Sequence, residues 1–284
     1  MIGLVGSAVR AGRLAGRHLV LAGRRRLVRM PMALITDEFG FSLAPQGWHP
    51  FREALENHDR RPDAPVEETT FGRFFLDPRV NAVRDLNDLL DLSGGPGRYR
   101  QLPRFWLGTY PWGGLSAAEI GGPGPAFGWA YDQAAGADTA DRWGHGRTLW
   151  YRPDNRHTLA NERQLTMALY RSIGHRYSPL KARGFPRVTI LVAEDGSRRA
   201  VIVDGHHRLA VLAHLGVETV TVEIEAVVAA ADADSWYAVR TGHCTAAEAR
   251  RLFGAFFILD GSERFELVAG SWEPGSWEAA DAGA

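Results

Sequence analysis

The sequence predicts an α+β protein, and three stretches of its second half carry that reading. Ala200–Val203 is a short apolar run rich in β-branched residues, followed by Asp204-Gly205 and then by Leu209, Leu212, Ala213 and Leu215 at helical spacing. That order is a buried strand, a turn and a helix, with Gly216 placed where a helix C-terminal glycine belongs. Glu194-Asp-Gly-Ser197 lies between Val188–Val192 and Ala200–Val203, and Asp-Gly between apolar runs signals a hairpin. Thr219–Val227 alternates, with Val220, Val222 and Ile224 on one face and Thr221, Glu223 and Glu225 on the other, as in a half-buried strand.

Helices frame these strands. Leu165, Ala168, Leu169 and Ile173 share one face of a helix expected over 159–173. Thr245-Ala-Ala-Glu248 is a capping box that opens a helix running to about Phe257. Towards the N-terminus the pattern is mixed and loop-rich. A short helix is expected over 51–57, an apolar aromatic run over 71–76, and a helix over 81–92 from Val83, Leu86, Leu89 and Leu90. The resulting division is a basic N-terminal arm or helix over 1–30, a Trp/Gly-rich accessory region over 31–155, an α+β domain over 156–260 and a tail over 261–284.

Composition sets limits. Hydrophobic residues make up 45% and charged residues 23% of 284 residues, which is ordinary for a globular chain with one large core or two smaller ones. The formal net charge is zero, so no global field favours nucleic acid, which is not expected as a partner. A lone Cys244 excludes an intramolecular disulfide and a cysteine-based zinc cluster, and fits a reducing cytoplasm. Arg10, Arg13 and Arg17 interrupt any apolar run too early for a signal peptide, and no apolar run approaches membrane-spanning length. With Val9, Leu14 and Leu21, those arginines suit a basic amphipathic helix that rests on anionic lipid or on a polyanionic partner. A solvated helix or arm is the simpler reading of the same residues. The nine Trp and the Gly-rich run over 106–150 suit either a core or a flat stacking surface for a sugar-like acceptor, with core the commoner role.

Asp204, His206, His207 and Arg208 fall within one strand-to-helix turn. Helix N-termini present unbonded N–H groups and a positive dipole end, which favour phosphate. Arg forks onto phosphate oxygens, His donates to them or moves a proton, and Asp orients a metal ion or nucleophile. The plainer alternative is that Asp204 caps the helix and the histidines face solvent. Zinc on His206, His207 and His214 is the weaker idea, because the first two are adjacent and diverge and no Cys assists.

Val203-Asp-Gly-His-His-Arg-Leu-Ala-Val-Leu212 resembles the signature turn of the ParB/sulfiredoxin-like superfamily, and the resemblance covers roughly residues 161–226, with a weaker extension to about 257. It implies a nucleotide-binding domain of that fold. Sulfiredoxins carry a catalytic Cys before the His-Arg pair, where this chain has His206, so Cys repair chemistry is not expected. ParB partition proteins use a different turn and a following DNA-binding domain, for which too little helical sequence remains.

The small-molecule kinases of the superfamily have an Asp-Gly-any-His-Arg turn, which matches Asp204, Gly205, His207 and Arg208. That resemblance implies a phosphotransferase acting on a hydroxyl of a small molecule or sugar-like acceptor, with ATP or ADP as the nucleotide and Mg²⁺ on its phosphates. Asp204 and His207 would act beside the transferred group, Asp204 also as metal ligand, while Gly205, His206 and Arg208 hold phosphates. A Glu upstream of the hairpin serves these kinases as base, and Glu162 fits that place; a Glu near a helix start is as often a surface residue. The competing class is a nucleotide-binding scaffold without turnover, peripheral to the membrane through its Arg-rich N-terminus. A nuclease has no carboxylate cluster to support it.

Overall fold

The computed structural model describes residues 19–21, 25–37, 40–76, 86–94, 98–105, 110–113, 156–175, 177 and 184–261. Its strands are β1 (Leu19–Leu21), β2 (Arg25–Pro31), β3 (Ile35–Thr36), β4 (Arg187–Val192), β5 (Arg198–Asp204) and β6 (Thr219–Ala229). Its α-helices are α1 (Pro50–Arg60), α2 (Thr70–Leu76), α3 (Leu86–Gly94), α4 (Arg156–His175), α5 (His206–His214), α6 (Tyr237–Arg240) and α7 (Ala246–Ile258). The six strands form one mixed sheet in the order β1-β2-β6-β4-β5-β3. β4 runs parallel to β6 and β3 parallel to β5, and the other neighbours are antiparallel.

Alternation along the central strands divides the core between the two faces of the sheet. Val188 and Ile190 of β4, Ala200 and Ile202 of β5, and Val220, Val222 and Ile224 of β6 pack with α1, α2, α4 and α5. Leu191 and Val201, one step out of phase, pack with α3, α6 and α7. A strand covered on both faces reads as a continuous apolar run, and Ala200–Val203 does so for this reason. The architecture is α+β with a mixed sheet and helices on both sides.

Local signals fall where the side chains specify them. The β4–β5 hairpin closes through Gly196 at φ 80°, and the Ser197 N–H donates to Asp195 Oδ1 at 2.8 Å. Gly216 ends α5 at φ 76°. At the start of α7 the Glu248 N–H donates to Thr245 Oγ1, and the Thr245 N–H donates to Glu248 Oε2. The helices expected over 51–57 and 159–173 extend to Pro50–Arg60 and Arg156–His175, and the apolar run before Leu76 is α2.

One expectation needs correction. The basic arm or helix expected over 1–30 is not helical at residues 19–21 and 25–30, which lie in strands β1 and β2. Val28 and Met30 point into the core, and Leu27 to Pro31 pair with Thr219 to Glu223 of β6. Residues 1–18, with Arg10, Arg13 and Arg17, lie outside the described residues. The sheet and the core run across the boundary drawn at 155/156. β2 and β3 belong to the same sheet as β4, β5 and β6, and one core cluster runs from Val28 to Ile224.

The described tryptophans are core residues. Trp48 is buried against Phe41 and Phe74, while Trp236 is buried and Trp112 packed on the opposite side of the sheet with Phe253. These three lie in the core rather than at the 204–208 turn; Trp106 and the run over 114–150 lie outside the described residues. No helix among the described residues is long and apolar enough to cross a membrane.

Candidate functional site

The turn after β5 is built around Gly205. Its φ of 98° lies in the left-handed region, and a Cβ there would stand 3.0 Å from both Pro186 Cβ and Arg208 Nη2. Glycine is the residue that takes such a φ without strain and leaves this space clear. It occupies the N-cap of α5 and has no side chain to satisfy the leading N–H groups, so the positive end of α5 has no side-chain cap.

Asp204 is not that cap. Its Oδ2 accepts from Arg208 Nη2 at 3.0 Å, while Arg208 Nη1 donates to the Gly184 carbonyl at 2.7 Å. Arg208 is buried, and Asp204 is half-exposed at the end of β5. The guanidinium thereby ties the last residue of one strand to the segment entering β4 and frames the turn from beneath. The hydroxyl of Tyr177 is buried nearby; burial raises its pKa, and the charge of Arg208 opposes that shift.

His207, in the first turn of α5, reaches α4. Its Nε2 lies 2.6 Å from Glu162 Oε2. A carboxylate can only accept, so the proton in this contact belongs to Nε2 and the imidazole is oriented by Glu162. Both side chains are partly buried, at 24% and 18% exposure, which leaves the pair reachable while shielding it from full hydration. Sequence reasoning placed Glu162, His207 and Asp204 in one site from separate segments, and the fold brings the first two into direct contact. His206 precedes them, half-buried on the same turn.

The loop before α1 and the start of that helix form the third wall, which the sequence did not reveal. Phe51 lies flat on the His207 ring, with centroids 3.9 Å apart and planes 18° from parallel. His49 is the N-cap of α1, and its Nδ1 accepts from the Phe51 N–H at 3.3 Å. Its Nε2 lies 3.7 Å from Asp37 Oδ2, both side chains being fully buried. Burial, then the charges of His206, Arg52 and His207, holds the His49 imidazole well below its usual pKa, so the ring is neutral. Arg52 donates to the Ala44 carbonyl at 2.6 Å and also to Gly47 O, fixing the loop that carries His49. His-Pro-Phe is a readable helix start, but nothing local in it announces a partner on α5.

At the other end of the helical layer, His214 Nε2 meets Asp59 Oδ2 at 2.9 Å, and the Tyr170 hydroxyl reaches Asp59 at 3.5 Å. α1, α4 and α5 are therefore pinned at both ends, with Glu162–His207 forming one of the pins. Among the described residues no three His, Cys, Asp or Glu side chains gather into a group that could hold a metal. His214 stands on Asp59, at the far end of α5 from His206 and His207.

The arrangement can orient an imidazole, move a proton through it and receive an anion at a helix N-terminus with no side-chain cap. No family model, curated protein or solved structure matches this chain.

Proposed function

We propose that the protein is a nucleotide-dependent phosphotransferase acting on a hydroxyl of a small molecule, with the Glu162–His207 pair as its acid–base centre. The carrying observation is the 2.6 Å contact between Glu162 and His207, placed at the N-terminus of α5 where phosphate is favoured. The acceptor oxygen attacks the terminal phosphorus, and the bond from that phosphorus to the bridging oxygen breaks. The shortened nucleotide leaves, and the hydroxyl proton passes to the Glu162–His207 pair. Phosphoryl transfer makes small demands on covalent chemistry and large ones on positioning, which suits a site of few groups on rigid elements.

The leading N–H groups of α5, including those of His206 and His207, would hold phosphate oxygens. Arg208 supports this from behind by holding Asp204 and Gly184. Mg²⁺ bound to nucleotide phosphates needs one or two protein carboxylates, and Asp204, half-exposed at the end of β5, fits that part.

The test is phosphoryl transfer by purified protein with Mg²⁺ and ATP, ADP, CTP or GTP over a panel of small alcohols, including serine. The wild type should consume nucleotide only when acceptor is present. Glu162→Gln and Asp204→Ala should each lower kcat by about a hundredfold or more. Nucleotide binding without turnover would reject the enzyme and leave a nucleotide-binding scaffold; no nucleotide binding would reject both.

A further inference from the structure

We infer that Phe51 is a positioning residue of the site: it holds the His207 imidazole in the plane in which Glu162 receives its Nε2–H and so keeps the single tautomer which that bond selects. This rests on the acid–base reading of Glu162 and His207 and extends it to an element outside the strand-to-helix turn.

The geometry supplies the reasons. A single hydrogen bond from Nε2 leaves the ring free to rotate about the line to Glu162. A second constraint is needed to fix the plane, and the Phe51 ring provides it by lying 3.9 Å from the imidazole and 18° from parallel. Phe51 can do this because it cannot move. It is fully buried in the core shared by α1, α5 and the sheet, sits one residue inside a proline-started helix, and has its N–H bonded to the His49 cap. His49 in turn stands beside Asp37 in a loop held by Arg52. A chain of contacts thus runs from Asp37 through His49 and Phe51 to His207 and Glu162. An apolar face against one side of an imidazole also keeps water from that side.

Among the described residues, the charged and titratable groups around His207 include Glu162 on α4, His206, Arg208 and Asp204 at the turn, and His49 and Arg52 on the α1 side. Phe51 covers a face of the ring, and that is the contribution it makes.

The experiment reads the His207 ring nitrogens directly by ¹⁵N–¹H correlation, in the full chain without ligand, for wild type, Phe51→Leu and a control, Phe256→Leu. Phe256 is equally buried but belongs to the core on the other face of the sheet. The wild type and the control should show one tautomer, protonated at Nε2, while Phe51→Leu should show both. Where turnover is present, Phe51→Leu should lower kcat about tenfold with the nucleotide KM unchanged, and the control should alter neither. An unchanged tautomer in a folded Phe51→Leu protein overturns the inference, whatever the activity. A wild type that shows the Nε2–H tautomer but no turnover defeats the proposed activity alone. If Phe51→Leu does not fold, Phe51→Met is read in its place.

Discussion

His49 makes the stability of the fold depend on pH in a direction that can be worked out in advance. Its side chain is fully buried, and burial followed by the charges of His206, Arg52 and His207 lowers its pKa well below the usual value. In the unfolded chain the same imidazole takes a proton near pH 6.5, at about its ordinary pKa. Below that pH the unfolded state binds one proton more than the fold, so stability rises with pH up to about 6.5 and is lost as the pH falls beneath it. The loss between pH 6.5 and 5.5 comes to about 1 kcal/mol, and the limiting slope is about 1.4 kcal/mol per pH unit. Asp37, 3.7 Å from the ring, favours the charged form, but burial and the three positive neighbours outweigh it. The assay is urea unfolding at stepped pH for wild type and His49→Asn. Asparagine keeps an acceptor for the Phe51 N–H at the N-cap and removes the titrating group. The difference between the two proteins should therefore carry the His49 contribution, free of the His207–Glu162 and His214–Asp59 pairs. Parallel stability curves for the two proteins would refute the reasoning.

Two further outcomes follow from single positions. Gly205→Ala should cost about 1–3 kcal/mol of stability, since it combines a left-handed φ with a Cβ 3.0 Å from Pro186 and Arg208, and chemical denaturation measures it. Cys244 is buried, and burial followed by the charge of Glu248 pushes its thiol up to about 11. It should therefore resist alkylation in the native protein at pH 8 and react on unfolding, as mass spectrometry would show; rapid labelling of folded protein would contradict this.

The parts of the fold that were legible in the sequence are those specified by neighbours along the chain. Asp195 and Gly196 close their hairpin within a few residues, Thr245 and Glu248 cap their own helix, and Val220, Val222 and Ile224 announce a strand by alternation. Glu162 was legible as a candidate through family resemblance and the chemistry of its side chain. The strand at Arg25–Pro31 was not, because its partner is Thr219–Glu223 and arginines interleaved with leucine and valine fit a helix equally well. Phe51 and His49 escaped for the same reason. A phenylalanine at a helix start looks like any core residue until a second helix sets a histidine on its face. The bonds from Arg208 to Asp204 and Gly184 were not legible either, because they turn on the direction of one side chain.

The order of strands in the sheet bears on how the molecule comes into being. β2 is made well before its hydrogen-bonding neighbour β6, and β3 likewise awaits β5. During synthesis the first strands therefore leave the ribosome with edges that have no mate, and pairing over such sequence distances is slow. An exposed β2 in a stalled or truncated chain is then a seed for aggregation rather than a dormant half-protein.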